Sequence, residues 1–219
     1  MRPPIVFFLL CLVPALYSGM PANRAIVPIF SGNRPVFSGS PYFDENYKYA
    51  DIFLSKTRKF TSVKTRIDLE TQSVQFISEG VEGMLQPGWV KEVSYADTTS
   101  DGILFYKFRT GYPPFENKTA QQFYIVMADG NCSMLRAVEK RVINRKNAIT
   151  GDVVKDYETY DNFYLFVKGE MKRLKRDREY IMAELADRKV QVDEFVDKNR
   201  INFRNTDQVA KLINYYNTL

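Results

Sequence analysis

Tyr49-Ala50-Asp51-Ile52-Phe53-Leu54, then Phe60-Thr61-Ser62-Val63-Lys64-Thr65-Arg66-Ile67-Asp68-Leu69, then Ser73-Val74-Gln75-Phe76-Ile77 is the stretch on which the reading of this chain turns. Val63, Thr65, Ile67 and Leu69 fall on one face, and Lys64, Arg66, Asp68 and Glu70 fall on the other. That alternation is the mark of a half-buried antiparallel strand. The polar tetrads Lys56 to Lys59 and Glu70 to Ser73 separate the apolar runs, so the stretch reads as three strands joined by hairpins. One face of such a unit is wet and the other needs a cover. The cover is expected from later in the chain.

Working forward, Ser78 to Gly83 reads as a turn, and Trp89 to Tyr95 as an extended run ended by the polar segment Asp97 to Gly102. Ile103 to Arg109 is apolar on both faces, which predicts a central strand. Asp129-Gly130 predicts a hairpin between Gln122 to Met127 and Met134 to Val142. Asn144 to Gly151 reads as a loop, and Gly169-Glu170 as the connection between strands at Asn162 to Lys168 and Met171 to Lys175. From Asp177 the period changes: Asp177, Asp187 and Asn205 or Thr206 stand where helix N-caps are wanted. Val209, Leu212, Ile213 and Tyr216 then form one apolar stripe, expected to close on the sheet. The fold class predicted is α+β: an antiparallel β-sheet or partly closed barrel of about eight strands over residues 49–175, followed by three short C-terminal helices over 177–217. Residues 49–219 form a single domain in this reading.

Working backward, residues 21–48 are rich in Pro, Gly and Ser and read as a lead-in pinned by isolated apolar pairs. Met1-Arg2-Pro3-Pro4 followed by the apolar run Ile5 to Leu16 reads as a signal peptide over residues 1–20. An exported product, periplasmic or secreted, with no transmembrane segment in the mature chain is the expectation. Its removal would leave Cys132 as the one mature cysteine, so the domain must rely on its core. Histidine is absent from the sequence, which excludes Ser-His-Asp and Cys-His catalysis and leaves no ligand set for zinc or copper. No cofactor and no metal are expected. The net charge of +5 is too small to favour nucleic acid as a partner.

Two segments carry a resemblance. Gly39-Ser40-Pro41-Tyr42-Phe43-Asp44-Glu45, leading into the hairpins, is one; the ending Lys198-Asn199-Arg200-Ile201-Asn202-Phe203 with Leu212-Ile213-Asn214-Tyr215-Tyr216-Asn217 is the other. In these places the chain resembles a group of uncharacterised exported proteins of Bacteroidetes. The resemblance implies a Gram-negative envelope location and a fold shared by many paralogues. It implies no activity.

Two clusters are candidate sites. Asp152, Asp156, Glu158 and Asp161, interleaved with Tyr157 and Tyr160, offer the carboxylates a glycosidase-like hydrolase would need, as a charged loop before a strand. Lys172, Arg173, Lys175, Arg176 and Arg178 form the densest basic run, which could meet a polyanion or a membrane surface, or could simply guard a strand edge. The principal reading is a non-catalytic domain of the cell envelope that works by surface binding to a protein or a glycan. The carboxylate-only hydrolase and the polyanion-binding surface are its alternatives.

Overall fold

The structure is a computed structural model that describes residues 26–28, 38–100, 102–146, 149, 151 and 153–219. The segment read as a signal peptide lies outside the described residues, as does most of the lead-in.

The strands are β1 (Ile26–Pro28), β2 (Lys48–Phe53), β3 (Lys59–Asp68), β4 (Ser73–Ser78), β5 (Val81–Leu85), β6 (Glu92–Thr99), β7 (Gly102–Arg109), β8 (Tyr124–Ala128), β9 (Cys132–Lys146), β10 (Val153–Val167) and β11 (Glu170–Arg173). They make one open antiparallel sheet in the order β1-β5-β4-β3-β2-β6-β7-β8-β9-β10-β11. The α+β class stands. The strand count is corrected from eight to eleven, or ten from Lys48 onward. One reason is that Glu79 and Gly80, both in the left-handed region at φ 52° and 78°, turn the chain so tightly that β5 follows β4 at once. Lys168 and Gly169, at φ 53° and 82°, make the same turn one residue earlier than Gly169-Glu170. Separately, β9 and β10 stay paired from Cys132↔Val167 out to Lys146↔Val153, so Asn144 to Lys146 of the expected loop and the charged run through Asp156, Glu158 and Asp161 are ribbon.

The three helices follow: α1 (Arg178–Glu184), α2 (Lys189–Asn199) and α3 (Thr206–Tyr216). Asp177 caps α1 by accepting the Tyr180 N–H at 2.9 Å, and the Asn205 side-chain amide oxygen caps α3 by accepting those of Asp207 and Gln208. Asp187 caps nothing. It lies in a 3-10 turn, Ala186–Arg188, and its carboxylate accepts the Tyr216 hydroxyl at 2.9 Å. No helix among the described residues is long and apolar enough to cross a membrane.

The stripe of α3 is buried, with Val209, Leu212 and Ile213 all at 0% exposure. It meets Met134, Leu165, Val167 and the inner residues of α1 and α2 on one face of β8 to β11. Beyond it, the Asn217 side-chain amide accepts the Cys132 N–H at 3.0 Å and donates to the Cys132 carbonyl at 2.8 Å, pairing with the backbone as a strand neighbour would. The helices therefore cover the later strands and leave the opening hairpins alone. The cover of those hairpins does come from later in the chain: Ala50, Ile52, Ile67, Leu69, Val74 and Phe76 meet Val93, Phe108, Phe123, Ile125 and Val138, because the sheet curls and fills its own concavity.

A strap from the lead-in helps to hold that curl. Ser38 exchanges backbone bonds with β10 (Ser38 N–H to the Lys155 carbonyl, 3.0 Å; Tyr157 N–H to the Ser38 carbonyl, 2.9 Å). A few residues on, the Phe43 N–H donates to the Ile67 carbonyl and the Leu69 N–H to that of Pro41, both at 2.9 Å. Phe43 turns inward onto Tyr106 and Phe108, with ring centroids at 5.2 and 4.9 Å in edge-to-face contact. Arg66 lies between the Tyr42 and Tyr47 rings at 3.9 and 4.5 Å. Asp68, read as a wet-face residue, is buried because it accepts the N–H groups of Glu70 and Thr71 in the β3–β4 turn.

Candidate functional site

Asp152 lies outside the described residues. Asp156, Glu158 and Asp161 belong to β10 itself and not to a loop before a strand. Strand alternation puts Asp156 and Glu158 on one face and Asp161 on the other. Each already has a partner. Arg145 reaches Asp156 at 3.4 Å, the Tyr160 hydroxyl donates to Glu158, and Arg136 holds Asp161 with bonds of 2.8 and 3.0 Å. Among the described residues no group of three or more carboxylates or thiols is placed to hold a metal ion.

The basic run is spread over β11, the connection to α1 and α1 itself. Lys172 bonds Glu184 at 2.9 Å and Arg173 bonds Glu116 at 3.2 Å. Lys175, Arg176 and Arg178 stand over the rings of Tyr180, Phe163 and Phe203 at 5.4, 5.3 and 5.9 Å. These five side chains point to different neighbours and form no single cationic surface.

A trough of about 410 Å³ lies elsewhere, on the outer face of β2, β6 and β7, and the sequence reading did not find it. Register builds it. Asp51 is level with Ser94 and Lys107, and one step along Ala96 is paired with Phe105; continuing the β2–β6 register brings Tyr49 level with both. Small residues thus form the floor on β6, and an aromatic side chain rises from the strand on either side. Tyr49 and Phe105 are 63% and 83% exposed, against the burial that large apolar rings normally find. They spring from the strands on either side of β6. Lys64 on β3 lies over one face of the Tyr49 ring at 5.7 Å, so the other face is turned towards β6 and the trough.

The polar end of the trough is fixed in advance. A bulge sets Thr61 and Ser62 opposite Asp51, with Ser62 at φ 55° and its N–H donated to the Asp51 carboxylate at 3.0 Å. The Lys59 ammonium at 2.8 Å and that N–H hold the Asp51 carboxyl below the usual carboxylate range, so it is an anion at neutral pH. Across the floor Lys107 contacts Asp129 at 3.4 Å. The outward parity of Tyr49 with Asp51 and of Phe105 with Lys107 was the available signal; aromatic residues in strands read as core by default.

A second polar arrangement, also missed, is buried. Lys118 is 5% exposed in the loop between β7 and β8 and is bonded to Glu139, which also accepts from Arg141 at 2.7 Å and from Asn162 at 3.3 Å. Burial pushes the Glu139 carboxyl up, but the bonds from Lys118 and Arg141 outweigh it and leave the group below its ordinary range. With both charges satisfied, this pair fastens the loop over Tyr112, Tyr124 and Tyr164.

No protein-family model matches the chain, and neither a curated protein nor a solved structure is significantly similar to it.

Proposed function

We propose that this protein is an exported, non-catalytic binding domain of the cell envelope, periplasmic or secreted, and that it engages a glycan through the trough on β2, β6 and β7. The observation that carries the reading is the pair of exposed rings, Tyr49 and Phe105, standing on either side of the Ser94 and Ala96 floor. A pyranose ring offers a flat C–H face to stack on such walls, while its hydroxyls can bond the Asp51 carboxylate, the serine hydroxyls and the Lys107 ammonium. The apolar run after Met1-Arg2 and the resemblance to exported Bacteroidetes proteins support the location. Less supports the alternatives: the carboxylates of Asp156 and Asp161 are each held by an arginine on opposite faces, and the basic run is dispersed.

Chemical-shift titration with chitohexaose, cellohexaose and maltohexaose tests the proposal. At least one should bind and perturb residues around Ser94 and Ala96, and Tyr49→Ala or Phe105→Ala should each weaken it roughly two- to tenfold. Binding that ignores both changes, or no binding of any of the three at millimolar concentration, overturns the glycan reading and leaves contact with a protein.

A further inference from the structure

The strand that supplies Phe105 has a bare edge. β7 is paired with β6 along its whole length, from Thr99↔Gly102 to Glu92↔Arg109, but with β8 only at Phe108↔Ile125 and Arg109↔Tyr124. A bulge explains the parting. Met127 is the extra residue between the Val126↔Leu135 and Ala128↔Met134 pairs, and its carbonyl accepts the Asn214 amide of α3 at 3.2 Å, so β8 is bent towards the helices. Had the register continued, Leu104 would have faced the Asp129-Gly130 turn, where β8 has already ended. Among the described residues, the outer edge of Gly102 to Tyr106 therefore has no strand beside it, and the side chains along it are open: Ile103 is 60% exposed and Leu104 47%.

Three other open edges of the sheet are guarded. β1 carries Pro28, β11 carries Lys172 and Arg173, and the far half of the β9–β10 ribbon carries Lys140, Arg141, Arg145, Lys146 and Lys155. Proline and charge are the usual means of stopping one edge from pairing with another. From Gly102 to Tyr106 there is neither.

We infer that this edge pairs with the same edge of a second copy of the chain, antiparallel about a two-fold axis at Leu104. The residue pattern is complementary to itself in that register. Leu104 faces Leu104, Ile103 faces Phe105 twice, and Gly102 faces Tyr106 twice, so a β-branched side chain meets an aromatic one and glycine leaves room for a ring. No like charges are opposed. A two-fold contact of this kind closes on itself, which suits an edge of about five residues with a turn at one end and β8 at the other. The two sheets become continuous, with both troughs on the same side and their β6 floors three strand spacings apart, about 14 Å. The association does not depend on what the troughs bind.

Sedimentation velocity of the purified chain from about 5 to 500 μM is the test, with sugar absent. The weight-average mass should rise from monomer towards dimer across that range. Leu104→Lys, which sets two ammonium groups opposite each other at the axis, should hold the mass at monomer, whereas Val81→Lys on the exposed face of β5 should leave the rise intact. Circular dichroism of both variants confirms folding. Should Leu104→Lys fail to fold, Leu104→Cys replaces it: under mild oxidation it should give a cross-linked dimer, and Val81→Cys should not. A wild-type chain that stays monomeric throughout, a dimer indifferent to Leu104→Lys, or equal cross-linking at both cysteines overturns the inference.

Discussion

From β8 to β11, short of the far half of the β9–β10 ribbon, the sheet is covered on both sides, by the helices on one and by the loop that carries Lys118 on the other, whereas from β2 to β7 most of the cover lies on one side. The covered half draws its apolar contacts from later sequence: α3 lays its stripe on strands that precede it. The other half is closed by the sheet itself, because its strands curl until Ile52, Val74 and Phe108 meet Ile125 of β8 and Val138 of β9. Covering by helices leaves no working surface, while curling leaves the whole convex face to water. That is where the exposed rings, the trough and the bare strand edge are found. The difference teaches that the helices stabilise one half and the surface available for binding belongs to the other.

Three measurements would break or sharpen this contrast. The largest effect is expected at the helix lid: Leu212→Ala removes a fully buried side chain and should lower the unfolding free energy by about 2 to 5 kcal/mol in urea. A change under about 0.5 kcal/mol would mean that α3 is not part of the core. Next comes the strap, which the curled half uses where the other half uses helices. Phe43→Ala should cost about 2 to 3 kcal/mol, less than full burial would, because the ring is only partly enclosed by Tyr106 and Phe108.

The smallest effect concerns the loop on the other face of β8 to β11 and is seen only in acid. The Glu139 carboxyl lies below its usual value in the folded chain, so its share of the stability is fully present above the unfolded value of 4.5 and is lost as pH falls through the folded one. Wild-type protein should therefore lose its advantage over Glu139→Gln as the pH is lowered from 6 to about 3, followed by the urea midpoint. A gap between the two proteins that stays constant over that range would show that Lys118 and Arg141 do not favour the anion.

The opening hairpins were legible because one face of β3 is dry and the other wet, which is the condition that produces alternation. β5 was not. Its Gly83 looks like a turn residue, but it is needed because the Phe76 ring lies 2.6 Å from where a Cβ would be, a close approach that no local pattern signals. The far half of β9 and β10 was read as loop and charged cluster because both faces of a two-stranded ribbon meet water, so charged residues occur without alternation. Asp187 has the composition of a cap and the position of a tertiary partner, and only the fold brings Tyr216 to it. The trough failed to register for a related reason: Tyr49 and Phe105 are the residue types that usually fill cores, and their exposure depends on what leaves that face uncovered.

The strap also bears on the order in which the molecule can be finished. Ser38 bonds Lys155 and Tyr157, and Pro41 and Phe43 bond β3, so the segment that comes first among these joins the strand that comes last. A chain delivered from its N-terminal end can form the β2, β3 and β4 hairpins from neighbours already present, but Ser38 has to wait for β10. Until β9 is made, the concave side carrying Ile67, Phe76 and Phe108 also lacks Val138. The residues that emerge early are thus among the last to reach their places.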